Sequence, residues 1–189
     1  MSSQASSRKT KLKQEWERLS VSERSKMKKQ QNWVRTLCRA AMIAALYTIF
    51  TLISGAMGLA GGVIQFRISE AFCILGIFTP SAIPGIAVGC LLSNLLVGGA
   101  MWDIILGSAA SFIGMLGLRA LRRFPYIAPL PYVLANVITV PLVLRFVYAA
   151  EGALSYFMLT VGIGEVVCAW IGGGLLYAAL RRHAGRLFA

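Results

Sequence analysis

Long apolar stretches separated by short polar breaks make up most of this chain. Residues 40–66, 71–102 and 124–144 contain no Asp, Glu, Lys or Arg. A helix needs about 20 mostly apolar residues to cross a hydrocarbon core of about 30 Å. The breaks divide the apolar sequence into six spans, at about 36–57, 63–79, 82–100, 102–121, 125–148 and 152–180. Gly58, Gly61 and Gly62 close the first span, and Pro80 closes the second, because helices tend to stop before proline. Pro129 and Pro131 fall in the first turn of the fifth span, where proline is tolerated, and Pro141 falls inside it, where a kink is expected.

The pattern predicts an all-α integral membrane protein, a six-transmembrane-helix bundle. Loop charges set its orientation. The connections near 58–62, 99–102 and 149–152 carry no Lys or Arg, whereas Arg119, Arg122 and Arg123, and then Arg181, Arg182 and Arg186, cluster at alternate breaks. By the positive-inside rule the N- and C-termini are both cytoplasmic. Three segments follow: a basic cytoplasmic N-terminal segment at 1–35, a six-helix membrane domain at 36–182, and a basic cytoplasmic tail at 183–189. Residues 11–32, rich in Lys, Glu, Gln and Arg, read as a surface helix. The basic region is too long for a secretory signal, and no small-residue cleavage site follows a short apolar core.

Composition agrees with this picture: 57% of the 189 residues are hydrophobic and 14% charged. A net charge of +12 raises the question of nucleic acid, but eleven of the nineteen basic residues lie in residues 1–39, before the first span. That is the distribution of a cytoplasmic anchor, with attraction to anionic headgroups as a second reading. Cys38, Cys73, Cys90 and Cys168 form no C-x-x-C pair and sit among apolar neighbours, as small buried hydrophobes do. His183 lies in the basic tail and reads as a surface residue. There is no zinc pattern, nucleophile elbow or phosphate-binding G-x-x-x-x-G-K-[ST] loop, and no cofactor is expected.

The informative residues are the polar ones inside the spans. Arg67 and Glu70 stand three apart, a spacing that puts both on one helix face. On the predicted topology Arg67, Glu70, Asn94, Trp102 and Asp103 fall in the outer half of the bundle, with Asn136 and Glu165 near its middle. Ionisable groups in a span are costly and tend to line a cavity or a substrate path. The pattern therefore predicts a polar cavity open to the outside and apolar below. Each residue also has a plainer reading. Arg67 and Glu70 would serve as a structural ion pair, Asp103 as a helix cap at the interface, and Asn94 and Asn136 as interhelical glue. Arg145 would snorkel to the interface. Glu165 has no Lys or Arg within ten residues, which favours a functional role. The small residues Ala40-x-x-x-Ala44 and Ala41-x-x-x-Ala45 make a flat face, suited either to internal packing or to docking another membrane subunit.

Four segments, Ile64–Ala71, Pro84–Leu95, Trp102–Gly107 and Val161–Val166, resemble the queuosine-precursor transporter (QueT) family over residues 36–182. Members of that family are S-components, the six-helix substrate-binding subunits of energy-coupling factor (ECF) transporters. The resemblance implies capture of a 7-deazaguanine base from outside, with two cytoplasmic ATPase subunits and a transmembrane coupling protein powering transport. It implies that Ala40, Ala41, Ala44 and Ala45 contact the coupling protein, and that the loop at 58–62 is a lid. The physical chemistry suits such a ligand. A carboxylate of Glu70 or Glu165 would accept a guanine-type edge, Asn94 or Asn136 would read its carbonyl, and Trp102 or Phe66 would stack on the ring. Asp103 would pair with a cationic substituent, and Arg67 would hold Glu70. The competing functions are a self-sufficient ion-coupled transporter of a small polar molecule, a membrane enzyme, and an assembly protein. No inverted repeat supports the first of these, and no nucleophile–base pair supports the second.

Overall fold

The computed structural model describes residues 20–59 and 66–187. The expectations for residues 1–19, and for the part of the lid at 60–62, lie outside the described residues. The chain divides into two compact units, Met1–Cys38 and Arg39–Ala189. Among the described residues there are helices and turns and no strand.

In the first unit, residues 21–38 form the opening of helix α1, Val21–Ala56. The start is fixed by a reciprocal cap. The Glu23 backbone N–H donates to Ser20 Oγ at 3.2 Å, and the Ser20 N–H donates to Glu23 Oε2 at 2.9 Å. The side chains that follow are exposed almost throughout.

The second unit holds the rest of α1 and five further apolar helices: α2 (Ile68–Phe78), α3 (Ala82–Val97), α4 (Met101–Ala120), α5 (Leu130–Phe146) and α6 (Leu154–Leu180). A short α7, Ala184–Leu187, follows. Of these, α1, α4 and α6 are long and apolar enough to cross a membrane, and α2, α3 and α5 are shorter.

The second predicted span differs most from expectation. Residues 63–65 lie outside the described residues, and the helix that follows starts at Ile68 and runs as a 3-10 helix over Ile68–Ile74 before a last α turn, Leu75–Phe78. Arg67 is extended, and the first N–H of the helix, that of Ile68, is taken at 3.1 Å by Ser54 Oγ of α1. The start of α2 is therefore capped by a neighbouring helix. The expected fifth span also shortens: residues 121–129 are turns, and α5 begins at Leu130 with Pro129 and Pro131 at its entry. Gly98, at φ 79°, ends α3 before the predicted 100, since the left-handed conformation suits glycine.

Glycines set how closely the helices approach. A Cβ on Gly85 would meet the Ala40 carbonyl oxygen at 2.9 Å, and one on Gly89 would meet Tyr47 Cβ at 2.8 Å, so α3 lies directly against α1. A Cβ on Gly117 would meet Pro131 at 2.6 Å, which brings α4 equally close to α5. The core between them holds Ile43, Tyr47, Ile86, Met115, Leu118 and Tyr132. Midway along α6, Val166–Gly172 takes π geometry and packs on the 3-10 segment of α2, with the Cys73 thiol 3.8 Å from the Ala169 carbonyl. Such π segments are frequent at functional sites.

Candidate functional site

The site begins with a seam between α1 and α2. Tyr47, Thr51 and Ser54 recur at four and then three residues, on one face of α1. Their hydroxyls meet three successive residues of α2. Tyr47 donates to Glu70 Oε1 at 2.7 Å, Thr51 donates to Ser69 Oγ at 2.7 Å, and Ser54 accepts from Ile68. A second tyrosine, Tyr132 of α5, donates to Glu70 Oε2. Each Glu70 oxygen thus accepts a phenol, and three helices converge on one carboxyl group that is only 4% exposed.

This arrangement corrects the expected partnership. Glu70 is held by Tyr47 and Tyr132, while the Arg67 guanidinium reaches across to Asn94 Oδ1 at 3.5 Å. Arg67 and Glu70 nonetheless line the same cavity. The tyrosines carry no charge, so a search for ionisable groups passes over them. The available signal is that a phenol inside an apolar span needs a partner for its hydroxyl.

That cavity lies among α2, α3, α4, α5 and α6. It brings together six of the seven residues expected at a ligand site: Arg67, Glu70, Asn94, Asp103, Asn136 and Glu165. Gly107 and Gly164 leave room in its wall, where a Cβ on Gly107 would stand 3.2 Å from the Asn94 amide nitrogen. The seventh residue, Trp102, lies outside it. Its indole is exposed on the outer surface of α4, because the residue next to Asp103 points about 100° away around the helix.

The cavity has two tiers. The inner one, with Glu70, Asn136 and Glu165 in its wall, has a free volume of about 20 Å³. The outer one, walled by Val97, Val143, Leu144 and Tyr148, has about 360 Å³. Arg67, Asn94, Asp103 and Val140 belong to both. Asp103 is oriented by Tyr148, whose hydroxyl donates to Asp103 Oδ2 at 2.9 Å and accepts the Ala100 N–H at 2.9 Å.

Glu165 is the last residue before the π segment of α6 and is 8% exposed. Asn136 stands beside its carboxyl group. Its Oε2 is buried without a hydrogen-bond partner. Buried polar atoms are usually satisfied, so this oxygen can accept a further hydrogen bond. The wall therefore holds three carboxyl groups and one guanidinium, and one carboxyl oxygen is unused. Among the described residues no group of His, Cys, Asp and Glu is arranged to hold a metal ion.

The small-residue face of α1 divides in two. Ala40 and Ala44 are buried against Gly85 and Gly89 of α3, which is ordinary internal packing. Ala41 and Ala45, on the other side of the helix, are exposed.

A family model described as QueT transporter matches residues 37–182. The Queuosine precursor transporter QueT of Lactococcus lactis subsp. cremoris (strain MG1363) is 33% identical to this chain over 100 residues. That stretch covers 52% of this chain and 57% of the relative, so the match spans little more than half of the relative's length. No solved structure matches. The family match and the three helices long and apolar enough to cross a membrane identify a multi-pass membrane protein of a transporter family. The chain belongs to the QueT transporter family.

Proposed function

We propose that this chain is the substrate-capturing membrane subunit of an ECF-type importer, and that it takes up a queuosine precursor of the 7-deazaguanine type. The observation that carries the reading is the orphan Oε2 of Glu165, buried in a cavity lined from five helices. A small base with several N–H donors supplies what that oxygen lacks. The apolar surfaces of Val97, Val143 and Leu144 suit the faces of a flat ring, a task that the exposed Trp102 does not serve. Asn94 and Asn136 offer amides to its polar edge, and Asp103 adds a further carboxylate. Glu70, already engaged by two phenols, acts through the shape of the site.

The chain crosses the membrane six times in this reading, with both termini in the cytoplasm. The three shorter helices span with the help of their flanking turns. The basic N-terminal segment and tail remain on the cytoplasmic side, as the loop charges indicate. Energy comes from two separate ATPase subunits through a transmembrane coupling protein. The chain has no phosphate-binding loop of its own, and Ala41 and Ala45 offer a flat exposed face to such a partner.

Uptake of a labelled 7-deazaguanine base into proteoliposomes tests this reading. ATP-dependent uptake that requires the coupling and ATPase subunits is expected. Uptake by this chain alone, driven by a proton gradient, would instead support the ion-coupled alternative. That reading draws on the same observation, since a buried carboxyl group without a partner also suits a proton carrier.

A further inference from the structure

Three arginines stand together at the end of α4. Arg119, Arg122 and Arg123, with Leu116 and Ala120, wall an open recess of about 630 Å³ that shares no residue with the polar cavity. No Asp or Glu occurs between Asp103 and Glu151, so nothing in this part of the sequence offsets their charge. The charged neighbour that acts on Arg119 is Arg122, another cation. Like charges gathered at one recess repel, and an anion placed among them relieves the repulsion.

The recess is held in shape by the protein itself. Arg119 is half-buried, and its Nη1 donates to the carbonyl oxygens of Gly76 and Ile77 at 2.9 and 3.0 Å. Both bonds use one guanidinium nitrogen, which leaves Nη2 and Nε as donors. Backbone bonds fix the turn that carries the other two arginines. The Arg122 N–H donates to the Arg119 carbonyl oxygen at 3.3 Å, and the Phe124 and Ala128 N–H groups donate to the Leu121 and Phe124 carbonyl oxygens at 2.9 Å. Ala128 and Pro129 are buried and anchor this turn, while Arg122 and Arg123 are exposed. Arginines displayed in this way suit a phosphate group, which their planar forks bind bidentately.

The surface beside the recess is apolar. Ala109, Ile113, Leu116 and Ala120 recur at four, three and four residues along one face of α4, and all are exposed. From 109 to 120 the helix rises about 16 Å, which is about half the depth of a hydrocarbon core of about 30 Å. This apolar track runs into the recess, whose wall includes Leu116 and Ala120. On the turn, Phe124 and Tyr126 are exposed, as aromatic rings at the level of lipid headgroups are. A soluble phosphate or an acidic peptide would use the arginines and leave the track uncovered. A molecule that joins a phosphate to an acyl chain covers both.

We infer that the recess at the end of α4 binds an anionic phospholipid, with its phosphate on Arg119, Arg122 and Arg123 and an acyl chain along Ala109, Ile113 and Leu116. The lipid comes from the leaflet on the arginine side, the cytoplasmic one in the orientation that the loop charges indicate. Because Arg119 also holds the end of α2, the bound lipid is tied to the helix that carries Glu70. The site is separate from the cavity around Glu165, and its occupancy does not depend on what that cavity takes.

The test is native mass spectrometry of the purified, delipidated full chain released from detergent, titrated with phosphatidylglycerol, phosphatidylcholine or inorganic phosphate. One phosphatidylglycerol per chain is expected, held about tenfold or more tightly than phosphatidylcholine. Arg122→Gln with Arg123→Gln should weaken phosphatidylglycerol by about tenfold or more and leave phosphatidylcholine within about twofold. Arg181→Gln with Arg182→Gln removes the same charge from exposed positions after α6 and should leave the bound lipid in place. Leu116→Asn interrupts the track and should weaken the lipid with all three arginines intact. Equal retention of the two lipids, or equal loss in both arginine double variants, would show diffuse attraction and overturn the site. Displacement of the lipid by inorganic phosphate, or by a polyglutamate peptide, would transfer the recess to a soluble anion or a protein partner and overturn the lipid assignment.

Discussion

Tyr47 of α1 donates its hydroxyl to Glu70 of α2 at 2.7 Å, and this bond links α1, the longest helix among the described residues, to the wall of the cavity. Tyr132 closes the arrangement from α5. Removing either hydroxyl leaves a carboxyl oxygen short of a donor in a site with almost no access to water. Tyr47→Phe should therefore lower stability by about 1.5–3 kcal/mol, the usual range for a hydrogen bond to a charged group. Thermal unfolding in detergent measures this, and a change below about 0.5 kcal/mol would show that the bond contributes little.

Gly89 and Gly55 give a paired test of helix packing. A methyl group at Gly89 would sit 2.8 Å from Tyr47 Cβ and 3.0 Å from the Ala44 carbonyl oxygen, whereas one at Gly55 would meet nothing within 4 Å. Gly89→Ala should destabilise by about 1–3 kcal/mol through overpacking. Gly55→Ala, inside α1, should be neutral or stabilising by up to about 1 kcal/mol. The same unfolding assay on both variants checks the contrast.

Much of this was legible in the sequence because charge inside an apolar run is conspicuous. Arg67, Glu70, Asn94, Asp103, Asn136 and Glu165 share one cavity, as their helical placement suggested. The tyrosines that hold Glu70 were not legible in the same way. Their partners lie 23 and 62 residues away, and no local spacing encodes such a contact. Nor does hydropathy foretell the start of α2, because Ser54, a residue of another helix, supplies its cap. Trp102 stands apart from them: its neighbour Asp103 reaches the cavity, but one step along a helix turns the side chain outward.

At the other end of α2, Arg119 of α4 donates to the carbonyl oxygens of Gly76 and Ile77 at 2.9 and 3.0 Å. These are the acceptors that a helix end leaves unpaired, and a cation there also complements the helix dipole. Arg119→Ala should lose about 1–2 kcal/mol. Faster amide exchange should appear in the last turn of α2 but not around Glu165. Uniform loss of protection across α6 would show that the arginine has a wider role.

The cap at the start of α1 gives a pH dependence. Hydrogen bonds from the Ser20 hydroxyl and backbone N–H hold the Glu23 carboxyl group below its ordinary range. Because the folded value is the lower one, the cap's contribution is present above the unfolded value and is lost as pH falls through the folded one. With the intrinsic pH dependence of exchange divided out, the protection of amides in the first turn of α1 should fall on acidification in the parent protein, and Glu23→Gln should abolish that dependence. An unchanged profile in the variant would contradict the cap.

The central claim is that the cavity around Glu165 captures a small base, and the most direct measurement is calorimetric titration of the purified, folded chain with 7-aminomethyl-7-deazaguanine, using a chemically unrelated vitamin as control. The account predicts saturable one-to-one binding to the parent protein, no binding of the vitamin, and a loss of about 30-fold or more in Glu165→Gln. Absence of binding to folded parent protein, or unchanged affinity in Glu165→Gln, would contradict it.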